Sequence, residues 1–164
     1  MFVIELDHQF LQQTLSKVEQ SISDLTPLMR SLAAELASQT EENFEQEGRP
    51  QWPELSDVTT GRRAKTGHWP GKMLQVSAAG LAASITTQAT DSSALIGSNK
   101  PYAAMMQFGG DQADFPQLWG DIPGRLYLPM NAEGSLQPEA EKAILVLASA
   151  HLEVSTGEGV KKWG

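Results

Sequence analysis

The chain has 164 residues, 40% of them hydrophobic and 20% charged, which is the length and composition of one ordinary globular domain with its own core. Twenty acidic residues against twelve Lys and Arg give a formal net charge of −8, which favours solubility and disfavours non-specific attachment to nucleic acid. The absence of cysteine excludes disulfides, thiolate metal sites and cysteine nucleophiles, and no apolar run approaches the roughly 20 residues of a membrane-spanning helix.

The opening MFVIELDHQF has neither a basic start nor a long apolar stretch, so a secretory signal is not expected and a cytoplasmic setting is. From about Asp7 to Ile22, Phe10, Leu11, Leu15, Val18 and Ile22 recur at three- and four-residue steps and predict a helix with one apolar stripe. Ser23 and Asp24 break it. Thr26 is placed to cap a second helix, with Pro27 in its first turn. That helix runs to about Glu47 with the stripe Leu28, Met29, Leu32, Leu36, Thr40 and Phe44, and Gly48 and Pro50 stop it. The short break predicts a helical hairpin over about 7–48. Glu41, Glu42, Glu45 and Glu47 read as a solvated face.

Residues 49–72 change character: Pro50, Pro53, Gly61, Gly67, Pro70 and Gly71 interrupt every period, and the segment is predicted to be one long loop. It is locally basic through Arg49, Arg62, Arg63, Lys65 and Lys72, and a loop of this length is expected to be mobile until a partner orders it. In LAASITTQA, Leu81 to Ala89 alternate apolar and polar, which predicts a strand; Asp91-Ser92-Ser93 turns the chain, and Ala94 to Gly97 returns as its hairpin partner. Tyr102 to Phe108 is a short helix stopped by Gly109-Gly110 through a positive φ, and Arg125 to Leu128 is a further strand. A last helix starts near Ser135 to Pro138 and runs to about Glu153 with Ala140, Ile144, Leu147, Ala148 and Leu152 inward; the tail 154–164 is expected to fray.

Catalytic signatures are missing. His8, His68 and His151 are far apart and none belongs to a paired ligand motif, and no serine occupies a Gly-x-Ser-x-Gly elbow. Gly67-His68-Trp69-Pro70-Gly71-Lys72 approaches a phosphate loop but is one residue short, is followed by Met73, and loses an N–H at proline. No catalysis, no metal and no cofactor are therefore expected.

Four ordered segments carry a resemblance: QWPELSDVT at Gln51 to Thr59, MLQVSAAGLAASI at Met73 to Ile85, LIGSNKPYAAMMQFGG at Leu95 to Gly110, and GDIPGRLYLP at Gly120 to Pro129. Together they resemble the phage virion morphogenesis family, which includes tail-completion proteins of Mu-like phages. The likeness runs from about Leu28 to Leu152. Gly124, Leu126-Tyr127 and Ala79 depart from the family's usual residues, which touches local packing and weakens any contact role for Tyr127. The resemblance implies a non-enzymatic protein that completes the tail or the head–tail neck, as a ring expected to be hexameric, with phage tail or neck proteins as partners and no membrane or nucleic acid. A head (capsid) assembly factor is the alternative, and an unrecognised hydrolase a more distant one.

The resulting fold class is α+β: one domain over 1–164 with an N-terminal helical hairpin over about 7–48, and a small mostly antiparallel sheet and a C-terminal helix that together occupy 73–153. Trp52, Trp69 and Trp119 lie in Gly/Pro-rich loops and are interface candidates, since interfaces favour Trp; Trp52 is better read as a loop anchor on the body. Arg62, Arg63 and Lys65 are candidates as a basic cluster in an acidic chain, with the acidic end of a neighbour's second helix as target. Arg125 is either an ordinary strand residue or half of an inter-subunit ion pair.

Overall fold

The structure, a computed structural model, describes residues 8–118, 120–131 and 133–156. Two helices open it, α1 (His8–Ser23) and α2 (Thr26–Gln46). The start of α2 differs from expectation: Leu25 stands at the N-cap without a side-chain bond, and Asp24 Oδ1, one residue earlier, accepts the backbone N–H of Thr26 at 3.0 Å. Hydrogen bonds from the Thr26 side chain and backbone hold the Asp24 carboxyl below its ordinary pKa, with Arg30 and His151 adding to the effect.

The hairpin expectation needs correction. Among the described residues α1 packs on the last helix, α5 (Pro138–Thr156), and does not fold back along α2; α2 packs on α5 as well. α5 runs antiparallel to α2. At one end Gln137 is bonded to Asn43 at 3.0 Å, and at the other His151 acts on the charge of Asp24. The physical reason is that the apolar stripe of α1 can be covered by α5 as well as by α2, a choice that no local pattern settles.

The second correction falls on 49–72, which is not one loop. It contains α3 (Asp57–Lys65), started by Ser56, whose Oγ accepts from Thr59 N at 3.4 Å. Asp57 occupies the first turn and Arg62, Arg63 and Lys65 the last, the charge order that complements a helix dipole. Capping and charge carry this helix, not periodicity: α3 buries no residue at all. On either side of it the segment is anchored, by Trp52 (4% exposed) and by Met73 just beyond its end.

β1 (Ile85–Ala89) and β2 (Ala94–Ser98) pair antiparallel, Ile85 opposite Ser98 and Ala89 opposite Ala94. The strand is shorter than the alternation suggests, because Ala82–Ser84 form a 3-10 turn. The hairpin lies on α2. α4 (Ala103–Phe108) ends at Gly109, whose φ of +77° is the positive value expected of a glycine stop. A second small sheet pairs β3 (Gly109–Gly110) with β4 (Ile122–Pro123). Arg125 to Leu128 is no strand: Arg125 N donates to Met106 O at 2.8 Å, and Tyr127 N and Leu128 N both donate to the Gln107 side chain at 3.0 Å. Side-chain and helix acceptors have replaced a ladder. Residues 157–164 and Trp119 lie outside the described residues.

Phe44, Trp52, Met73, Leu81, Ala103 and Tyr127 form the core. Phe44 meets Trp52 edge-on at 6.0 Å and stacks on Tyr127 at 5.5 Å. Such aromatics each cost about 3–5 kcal/mol when truncated. Phe44 joins the other two rings in this wedge.

Candidate functional site

The segments that carry the family resemblance converge in space. Trp52 from the first, Met73 and Leu81 from the second, Ala103 and Gln107 from the third and Tyr127 from the fourth meet on Phe44 of α2. Polar side chains then fix the loops between them. Asn43, fully buried, donates to Tyr127 O at 3.1 Å and to Gln137 Oε1 at 3.0 Å. Its own Oδ1 accepts from Arg49 Nε at 2.8 Å, while Gln137 Nε2 donates to Arg49 O at 2.7 Å. Arg49 also reaches Gln39 O at 2.8 Å and stands 3.8 Å from Glu42. Each bond replaces one a buried polar group would have made with water, so the network is satisfied at almost every member. Gln107 Nε2 is the exception: buried, with no partner among the described residues.

Two close backbone approaches explain the glycines in these motifs. A Cβ on Gly109 would lie 2.5 Å from Ile122 O, and one on Gly48, at φ +103°, would lie 2.3 Å from Trp52 Cδ1. The Gln-Phe-Gly-Gly and Ile-Pro segments therefore cross through glycine, and the end of α2 receives the Trp52 ring the same way. These motifs build the fold.

That conclusion redistributes the candidate residues. Trp52 is 4% exposed and its Nε1 donates to Leu126 O at 3.2 Å, so it anchors its loop on the body of the domain. Arg125, 6% exposed, donates through Nε to Pro53 O and through Nη2 to Glu54 O, both at 3.0 Å. It clamps the Trp-Pro loop from within the chain. Burial lowers its pKa, and the nearby Arg63 charge lowers it further, yet an arginine stays ionised at neutral pH. Arg63 is half-buried and donates to Lys72 O at 3.3 Å. Arg62 and Lys65 are exposed on the same turn, Trp69 is half-buried, and Trp119 lies outside the described residues. The structure brings Arg63 and Arg125 together at one groove of about 430 Å³ beneath α3, with Leu55, Leu74 and Met106 on its floor. Lys72 Nζ donates to the backbone carbonyl of Glu45 near the end of α2, which ties the end of the 49–72 segment to that helix.

A different surface is left open. On α5, Leu145, Val146 and Leu152 are 60%, 61% and 48% exposed; on α1, Leu15 and Ile22 are 59% and 56% exposed. Leu15 and Ile22 are seven residues apart, as are Leu145 and Leu152, so each pair shares a helix face. The single inward stripe expected of α5 leaves out Leu145 and Val146, and Leu152, Leu15 and Ile22, expected on the apolar stripes of their helices, are exposed. A signal was present: an apolar run of six, Ala143 to Ala148, is wider than one buried face.

A groove of about 340 Å³ separates α2 from β1, floored by Phe44, Ala82 and Ile85 and edged by Glu41 and Glu45. Among the described residues no group of His, Cys, Asp or Glu is arranged to hold a metal, and no helix is long and apolar enough to cross a membrane.

Residues 6–153 match the phage virion morphogenesis family. The chain is 35% identical over 146 residues to Mu-like prophage FluMu G protein 2 of Haemophilus influenzae, spanning 88% of this chain and 91% of that protein. It is 38% identical over 109 residues to a protein named "Putative capsid assembly protein G" of Escherichia phage Mu, spanning 64% of this chain and 69% of the relative. No solved structure matches it. The motifs assembled around Phe44 thus sit within a match that runs almost the length of the described fold, and the chain belongs to the phage virion morphogenesis family, with a structural or assembly role in the phage particle.

Proposed function

We propose that this protein completes the tail, or the neck between head and tail, acting by contact and without catalysis as a ring of its own copies that is hexameric at the tail end. The observation that supports this reading is the set of exposed aliphatic residues on α1 and α5 in a chain whose family builds phage particles. Large apolar side chains grouped on neighbouring helices usually mark protein contacts. A ring further needs two different complementary surfaces per subunit, so that each copy receives one neighbour and is received by another. The exposed α1 and α5 faces supply one, and the grooves beside α2 and α3 are candidates for the second.

Assembly on the head side is the second reading, favoured by the name carried by the phage Mu relative. Electron microscopy of lysates made without this protein separates the two. The tail or neck role expects full heads without tails beside finished tails without heads. Absent or malformed heads would overturn it in favour of the head-side role.

A further inference from the structure

We infer that the α2–β1 groove receives the C-terminal segment Val160-Lys161-Lys162-Trp163 of a second copy of this chain, an inference that rests on the self-association proposed above. The groove has an apolar floor of Phe44, Ala82 and Ile85 and two carboxylates at its edge, Glu41 and Glu45, neither of which has a partner among the described residues. At about 340 Å³ it lies within the size range of sites that enclose a bulky group. What fits is an aromatic or aliphatic side chain flanked by positive charge.

The chain holds two segments outside the described residues long enough to act as occupants, 1–7 and 157–164. The first carries Glu5 and Asp7 and would bring like charge to Glu41 and Glu45. The second places Lys161 and Lys162 between Val160 and Trp163, with Glu158 its one acid. Complementary charge would set the register of such a contact, and the indole would supply buried area.

Reach decides which copy provides it. α5 starts beside the end of α2, where Gln137 is bonded to Asn43, and packs along it towards Asp24, so its end at Thr156 points away from the groove. From Asp24 to Glu41 is 17 residues of chain, about 25 Å of helix, and the five residues after His151 carry α5 about 7 Å further. The five residues from Thr156 to Lys161 span at most about 18 Å when fully extended. Lys161 cannot reach the groove of its own chain. It can reach that of a neighbour, and a contact made by different surfaces on the two copies is heterologous, the kind a ring requires.

The test uses a labelled peptide of residues 156–164 titrated by fluorescence anisotropy into the full-length chain carrying Lys161→Glu, Lys162→Glu and Trp163→Ala, so that the groove is not filled by a native tail. Saturable binding that weakens at least tenfold between low and raised salt, and is lost when Glu41→Lys and Glu45→Lys are added, is expected. Parallel sedimentation of the wild type, the tail variant, the groove variant and the charge-exchanged pair reports assembly, with the exchanged pair expected to recover what each single set loses. Absence of peptide binding, or binding unchanged by the groove substitutions, would overturn the inference. The reading of the ring is judged separately: a wild type that assembles while the peptide fails to bind keeps the ring and removes the groove. Specific peptide binding by a chain that stays monomeric supports the groove and removes the ring.

Discussion

Phe44 and Leu145 are both large apolar residues on helices, and the molecule treats them in opposite ways. Phe44 is 4% exposed, enclosed by Trp52 and Tyr127 and surrounded by polar side chains that tie loops to one another; Leu145 is 60% exposed on a helix otherwise packed against α1 and α2. The first region spends its hydrophobic surface on folding one chain. The second leaves it uncovered, and the assembly contact proposed above rests on that exposure. Stability and assembly are therefore expected to respond to different substitutions, and that separation can be attacked directly.

The largest loss of stability is expected at Gly48→Ala. A methyl group there would lie 2.3 Å from Trp52 Cδ1 and 2.6 Å from Pro50 O, on a backbone at φ +103°. Strain and overpacking together should cost about 3–5 kcal/mol, read from urea unfolding. A smaller loss of about 2–4 kcal/mol is expected from Asn43→Ala, which removes three hydrogen bonds and leaves Tyr127 O, Gln137 and Arg49 short of a partner. Either variant losing less than 1 kcal/mol, by roughly the usual effect of a surface change, would dissolve the distinction between the two regions.

Tyr127 gives a pH-dependent version of the same test. Burial pushes its phenol above the ordinary tyrosine value, so the fold holds the neutral form, whose Oη donates to Ala103 O at 3.2 Å. A raised folded value means that this stability is present below the unfolded pKa of about 10 and is lost as pH climbs through the higher folded one. Tyr127→Phe should lose about 1 kcal/mol at neutral pH and flatten the alkaline fall in stability, as followed by thermal unfolding. An alkaline profile identical to the wild type would contradict the assignment.

How much of this was legible in the sequence depends on what carried each element. The second helix was readable because Leu36, Thr40 and Phe44 recur on one face, and the β-hairpin because Asp91-Ser92-Ser93 is turn chemistry between two runs. α3 was not, because its signal is a Ser56 cap and a charge gradient over Gly61 and paired threonines, with no apolar stripe. Arg125 to Leu128 has the composition of a strand, but its amides found Gln107 and Met106, acceptors that no local pattern announces. The anchoring of Trp52 followed from its size, whereas the burial of Arg125 depends on carbonyls more than seventy residues away in sequence. The packing of α1 on α5 is a long-range choice between equally apolar neighbours.

A smaller effect on folding is expected from replacing Arg62, Arg63 and Lys65 together by Ser. The substitutions remove favourable charge from the last turn of α3 and the Arg63 bond to Lys72 O, worth about 1 kcal/mol in all. Particle assembly scored at low and raised salt then shows whether the basic turn has a second use. Slowed assembly would add α3 to the contact surface; unchanged assembly would leave it as a capped, solvated helix.

The most direct measurement pairs folding with assembly in Leu145→Glu/Val146→Glu. Both side chains are about three-fifths exposed, so the change in unfolding free energy should stay within about 0.5 kcal/mol of the wild type. Complementation of particles lacking the protein should nevertheless fail, because two charges would stand on the face left for a partner. Normal particle yield from this variant, with its stability intact, would contradict the claim that the open helical face is where this protein meets its assembly.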